Sequence, residues 1–183
     1  MKNLKLKKAF NLWFTGLPSS GKTTTAVTLK KYLLERAVNV VLLDGDEIRK
    51  GLSSDLGFSA KDREENNRRI IYITSLLVDQ GIPVLTTFIT PYRKTRRMAR
   101  KIIPNFIEVF IDTPIEECIK RDVKGLYAKA KRGELKGMTG IDDVYERPRK
   151  AELILKTLGI KVNENVLKII KHLSKQKYLN GNY

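Results

Sequence analysis

The chain contains one cysteine, one histidine and one tryptophan in 183 residues. A lone Cys118 excludes an internal disulfide framework and a multi-cysteine metal site, and a lone His172 excludes most histidine-based triads and zinc clusters. Both fit structural roles in a reducing, cytoplasmic setting. Long apolar runs are missing too. No stretch reaches the ~20 residues needed to cross a bilayer, so no membrane partner is expected. The N-terminal MKNLKLKKAFNLWF is basic and then apolar, but it has no small-residue cleavage site and leads straight into a glycine-bounded loop, which argues against a signal peptide. Internal repeats and low-complexity linkers are also absent. Residues 1–183 therefore read as one domain, long enough to bury a sheet between helices.

Acid is scarce relative to base: 36 Lys and Arg against 20 Asp and Glu give a net charge of +16. Such an excess suits a nucleic-acid binder, an enzyme for strongly anionic substrates, or a thermophile's charged surface. The basic residues are spread over 2–8, 93–101, 120–136 and 168–177, with no dense tail and no interleaved aromatics. That dispersal reads as solvated helix faces, and no nucleic-acid partner is expected.

What is present is a regular alternation. NLWFTG reads as a strand, followed by a loop and a helix from 22 to about 36 with Ala26, Leu29, Leu33 and Leu34 on one face. VNVVLLDGD is a second strand, ending in acids, and 64–80 a helix with Ile70, Ile73, Leu76 and Leu77 inward. PVLTTFIT is a third strand, before a basic helix over 92–103 that Pro91 opens at its first turn. FIEVFIDT is a fourth, followed by a helix from Pro114 to about 121. An amphipathic helix at about 163–178 is expected to pack on the domain. Continuous apolar strands alternating with helices predict an α/β fold with a mostly parallel central sheet covered by helices on both faces. The polar, glycine-punctuated stretch at about 122–148 breaks this rhythm and reads as a lid or binding segment.

The stretch FTGLPSSGKTTT carries the strongest local signal. Gly16, Gly21, Lys22 and Thr23 match G-x-x-x-x-G-K-[ST], after a predicted strand and before a predicted helix. Glycines let successive N–H groups of Leu17, Pro18's neighbours Ser19 and Ser20, and Thr24 converge on an anion, while Lys22 adds charge for the β and γ phosphates. The Thr23 hydroxyl suits Mg²⁺, so ATP and Mg²⁺ are the expected cofactors. No guanine-reading N-K-x-D segment accompanies the loop. After the second strand, Asp44 and Asp46 fall where open α/β sheets bind ligands, and one carboxylate there can accept a hydroxyl proton or organise Mg²⁺. Asp46 suits equally well the cap of a helix beginning at Glu47.

Several segments in order then resemble the adenylylsulfate kinases, P-loop kinases with a three-layer fold and a lid: WFTGLPSSGKTT, LLDGDEIRKGL, LGFSAKDREENNRR, FITPYR, FIEVFIDTPIEEC, RDVKGLYAKAKRGELKGMTGID and VYERP. The resemblance runs from about 12 to 155. It implies transfer of the ATP γ-phosphate to the ribose 3′-hydroxyl of adenosine 5′-phosphosulfate, in the service of sulfate assimilation, and a homodimer. By resemblance, Asp46, Arg49, Arg63 and Asn66 hold the adenylylsulfate, Phe58 stacks on its adenine, Ile89 and Thr90 follow the third strand beside it, and Lys124, Gly137 and Met138 reach it from the lid. Thr90 stands where some relatives carry a phosphorylated serine, and Lys22, Asp46 and Lys124 are the implied catalytic groups. Thr23 and Asp44 are the implied Mg²⁺ positions, directly or through water. Guanidinium forks suit a phosphosulfate. Either arginine suits as well a surface pair with Asp62 or Glu64, Phe58 suits core burial, and Lys124 a solvated surface.

Three positions depart from the family pattern: Glu47 follows D-G-D where an asparagine is common, Met138 replaces an aromatic, and Thr90 replaces the serine. A kinase of another small hydroxyl compound, a nucleic-acid-binding module or end-kinase, and a non-catalytic relative stay open as other readings at this stage.

Overall fold

In the computed structural model, which describes residues 3–57 and 59–181, the chain runs β1 (Lys5–Leu6), β2 (Asn11–Thr15), α1 (Lys22–Leu34), β3 (Val41–Asp44), α2 (Gly45–Lys50), α3 (Ala60–Asp79), β4 (Val84–Thr87), α4 (Arg93–Ile102), β5 (Phe106–Asp112), α5 (Ile115–Arg121), α6 (Leu126–Lys131), β6 (Leu153–Lys156), α7 (Val162–Lys175) and β7 (Leu179–Asn180). β3, β4, β2, β5 and β6 form one sheet in that order, every neighbouring pair parallel. β1 and β7 pair antiparallel, Lys5 opposite Asn180.

β2 is central and buried at all five positions because both sheet faces are covered. The period of two divides its side chains. Leu12 and Phe14 join the core under α1 and α7 with Ala26, Leu29, Ile107, Val109 and Ile169. Trp13 points the other way, to Ile70, Ile71 and Ala99 on α3 and α4, with Phe88 and Phe106 against its ring. This two-sided packing fixes where β2 ends, and hence where the glycine-bounded loop begins.

Helix boundaries and faces depart from the sequence reading in instructive ways. α3 starts at Ala60 rather than 64 because Ser59 and Asp62 form a capping box, the Ser59 hydroxyl accepting from the Asp62 amide. Its buried seam is Asn67, Ile70, Ile71, Thr74 and Val78, so Leu76, expected inward, is 61% exposed. Leu34 is likewise 44% exposed, since one residue beyond Leu33 turns about 100° away from the seam. Pro91 lies outside α4, whose cap is Tyr92. The C-terminal helix ends at Lys175, not 178, and Tyr178 instead sets its ring edge-on against Phe10. β6 and α6 were not anticipated as separate elements.

Leu33 is fully buried between α1, α7 and the sheet. Leu33→Ala is expected to cost about 2–5 kcal/mol and Leu34→Ala less than about 1 kcal/mol, by removal of a packed as against an exposed side chain. Urea unfolding followed by emission of the single, fully buried Trp13 measures both; equal losses would contradict the assigned seam.

Candidate active site

The loop between β2 and α1 is shaped by what a side chain could not tolerate. A Cβ on Gly16, at φ +152°, would lie 2.7 Å from the Ile111 carbonyl oxygen, so only glycine allows the loop to press against the end of β5. Gly21, at φ +104°, caps α1 and turns the last loop amides toward the helix N-terminus. The loop is pinned from outside: the Ser20 carbonyl accepts from Thr113 Oγ1 at 2.8 Å, and the Pro18 carbonyl from Tyr127 Oη at 3.1 Å. The result is a fixed ring of main-chain amides.

Lys22 is folded into this ring. Its Nζ donates to the carbonyls of Gly16 at 3.0 Å and Leu17 at 2.7 Å, and the residue is 8% exposed. Burial, only partly offset by neighbouring charges, lowers its pKa to about 8. A buried ammonium whose charged form is disfavoured is a site that an anion completes.

Asp44 organises the acidic side. It caps α2, accepting the Asp46 amide at 3.0 Å on Oδ1, while Oδ2 accepts Thr23 Oγ1 at 2.8 Å and Thr87 Oγ1 at 2.7 Å. Burial pushes its carboxyl up, but the hydrogen bonds from Thr87, Thr23 and the Asp46 amide more than offset this and hold it below its ordinary value. α2 thus starts at Gly45, and the capping role open to Asp46 falls to Asp44. Asp46 is free to pair with Lys124 across from the lid. The Thr23 hydroxyl and Asp44 carboxylate form an all-oxygen donor pair beside the amide ring, which fits Mg²⁺, a cation that takes few protein ligands and keeps waters and phosphate oxygens.

Asp46 lies within electrostatic reach of both Lys22 and Arg49, and Arg49 belongs to a second set of polar groups. Arg49 donates to the Gly57 carbonyl at 2.9 Å. Burial, then the charge of Arg63, lowers its pKa, so these two guanidiniums are close enough to repel. Arg63 pairs with neither Asp62 nor Glu64; it reaches the lid, donating to Gly137 O at 2.7 Å and Asp143 Oδ2 at 3.1 Å. Asn66, one turn along α3, is 5% exposed, and its Oδ1 has no hydrogen-bond partner among the described residues. Phe58 lies outside the described residues.

Three expected positions differ from their simplest reading. The Thr90 side chain is not open to a ligand: the residue is 2% exposed and its hydroxyl accepts from Trp13 Nε1 at 3.1 Å. Ile89 contributes its carbonyl to Thr15 Oγ1 at 2.7 Å. Met138 is 4% exposed and packs with Cys118 and Tyr127 against Leu17, in a small core shared by α5, the lid segment and the glycine-bounded loop, so it offers no open face to a base. Sequence reasoning missed Asp143, Tyr127 and Arg121, which donates to Thr157 Oγ1 at 3.1 Å beside the loop. Their signal was weak because each acts through partners far away in the chain.

The family model described as adenylylsulphate kinase matches residues 8–156. The adenylyl-sulfate kinase of Halothermothrix orenii is 46% identical over 97% of this chain and 96% of its own length. That of Klebsiella pneumoniae is 56% identical over 79% of this chain and 73% of its own length. Among solved structures, the APS kinase CysC of Mycobacterium tuberculosis in complex with AMPPNP and APS matches with a TM-score of 0.87 at 43% identity, over 91% of this chain and 98% of that one.

The Lys22 pKa has a measurable consequence. A triphosphate neutralises the ammonium and raises its pKa, so binding is independent of Lys22 ionisation below about pH 8 and takes up a proton above it. Affinity for a non-hydrolysable ATP analogue is expected to weaken by about tenfold per pH unit above that point. Calorimetry at pH 7 to 9.5, in buffers of different ionisation enthalpy, reads both; flat affinity with no proton uptake would contradict the geometry.

Proposed function

The chain belongs to the adenylylsulphate kinase family, and we propose that it is an adenylylsulfate kinase, transferring the ATP γ-phosphate to the ribose 3′-hydroxyl of adenosine 5′-phosphosulfate to give 3′-phosphoadenylyl sulfate and ADP. The observation that carries this reading is that two sets of anion-seeking groups lie within electrostatic reach of one carboxylate, Asp46. One set is the amide ring with Lys22; the other is Arg49 with Arg63, together with Asn66, whose buried Oδ1 has no hydrogen-bond partner among the described residues.

In this reading, the backbone of 16–24 and Lys22 hold the β and γ phosphates. Thr23 and Asp44 would hold Mg²⁺, which supplies charge neutralisation at the phosphate oxygens. Arg49 and Arg63 take the phosphosulfate, and Asn66 and Phe58 its nucleoside. Asp46 orients the 3′-hydroxyl and accepts its proton as the oxygen attacks the γ-phosphorus. Lys124, already paired with Asp46, moves onto the transferring phosphoryl group. Because Thr90 keeps its hydroxyl on Trp13, transfer is direct and in line, without a phosphoenzyme, and Thr90 serves through its loop. Met138 supports Gly137, whose carbonyl holds Arg63, from within the lid. The docked lid, with Tyr127 on Pro18, excludes water that would hydrolyse the donor.

A homodimer in a reducing cytoplasm belongs to the same reading. Tyr72 and Leu76, 57% and 61% exposed one turn apart on α3, support the first. Cys118, buried and free, is compatible with the second. Among the described residues, no helix is long and apolar enough to cross a membrane.

Incubation with MgATP and adenylylsulfate is expected to yield the 3′-phosphorylated product and stoichiometric ADP. Asp46→Asn is expected to lower kcat by about 10²-fold or more, the range of a lost general base. Near-normal turnover in that variant would refute the role of Asp46; ADP release with sugars or nucleosides but not with adenylylsulfate would refute the substrate.

A further inference from the structure

Arg96 is a cation on a helix that reads as basic throughout, yet it is 2% exposed. Its guanidinium divides among three elements. Nη1 donates to the Thr90 carbonyl, at the end of the loop following β4. Nη2 donates to the Glu146 carbonyl, where the lid segment returns to the sheet. Nε lies 2.7 Å from Glu108 Oε1 on β5, an ion pair without the alignment of a hydrogen bond. Its plane also faces the Tyr145 ring, 5.6 Å from the centroid.

The two carbonyls it bridges belong to segments that meet the acceptor side of the site. Thr90 has φ +41°, a left-handed conformation that a β-branched residue adopts only when its surroundings impose it. The surroundings are Arg96 on its carbonyl and Trp13 on its hydroxyl. Glu146 adds two further ties to the same corner, its amide donating to Pro91 O at 3.0 Å and its carboxylate accepting the Arg93 amide at 2.6 Å. Three residues earlier, Asp143 accepts from Arg63 and from Tyr92 Oη at 2.7 Å. The lid's return, the loop after β4 and the arginine meant for the phosphosulfate are thus mechanically one piece, and Arg96 is its buried peg.

We propose that Arg96, with Glu108 as its counter-ion, is a positioning residue for the acceptor: it locks the loop 89–91 to the lid root 144–147, and so sets acceptor capture without touching either substrate. The proposal rests on the adenylylsulfate reading of the site. Only a planar, three-way donor satisfies this geometry, which a lysine ammonium cannot reproduce while keeping the charge opposite Glu108. Arg100 also reaches Glu108, at 3.3 Å, so the carboxylate is not left alone when Arg96 is shortened.

The test uses Arg96→Lys, which keeps the ion pair, and the double variant Arg96→Met with Glu108→Gln, which removes the buried charges together. In both, KM for adenylylsulfate is expected to rise at least about tenfold, the scale of a slight misplacement of reacting groups, with KM for ATP within about twofold of wild type. Hydrogen exchange is expected to quicken together at the Glu146 amide, which donates to Pro91 O, and at the Arg93 amide, which donates to the Glu146 carboxylate. A double variant that recovers both stability and wild-type acceptor KM would overturn the proposal, reducing the pair to a structural one. So would ATP and acceptor KM rising in parallel. If the wild-type protein phosphorylates no adenylylsulfate, the functional reading fails on its own, and exchange still decides the Arg96 role: joint loss of protection at the Glu146 and Arg93 amides supports it, retained protection at both overturns it.

Discussion

The site depends on one electrostatic arrangement: the Lys22 ammonium is held almost out of water by the carbonyls of Gly16 and Leu17, inside a loop that cannot relax. The loop is pinned because β2 is packed on both faces, Gly16 fits closely against Ile111, and the Ser20 and Pro18 carbonyls accept from Thr113 and Tyr127. Desolvation makes the charged lysine unfavourable by itself, and a bound polyphosphate would reverse the cost. Fold stability and donor binding therefore oppose each other at this residue, as they do wherever a site is built to be incomplete without its ligand.

On the acceptor side the same logic works through arginine. Arg49 and Arg63 repel, and Asn66 carries a buried oxygen without a partner among the described residues. Arg63 is meanwhile held by Gly137 and Asp143 of the lid, so the group that is proposed to take the phosphosulfate also reports whether the lid is docked. A molecule that bound Arg63 would compete with its contacts to Gly137 and Asp143. The Asp46–Lys124 pair adds a second contact between the lid and the rest of the site.

Much of this was legible in the sequence where the signal is local. The loop of Gly16, Gly21, Lys22 and Thr23 is encoded within eight residues, and β2, β4 and β5 announce themselves as apolar runs because both faces are buried, while β3, half-buried at the sheet edge, still reads as an apolar run ending in acids. β6 did not, since it is a short edge strand with Ile154 58% exposed and no continuous apolar run. The lid contacts were hidden for another reason: Arg63 meets Gly137 and Asp143 across 74 and 80 positions, a distance no spacing rule spans. Arg96 was masked by its neighbours, one buried arginine among solvated ones; its place on the face of Ala99 and Ile103 was the available clue. Met138 and Thr90 were placed by resemblance at ligand-facing positions, and packing turned both inward.

The most direct test is Lys22→Ala, followed for both turnover and melting temperature. The account expects phosphoryl transfer to fall by about 10³-fold, as for loss of a preorganised charge at the reacting phosphate, while the empty protein melts no lower than wild type because a disfavoured buried ammonium has gone. Turnover near the wild-type rate, or a large loss of stability in the ligand-free variant, would contradict it.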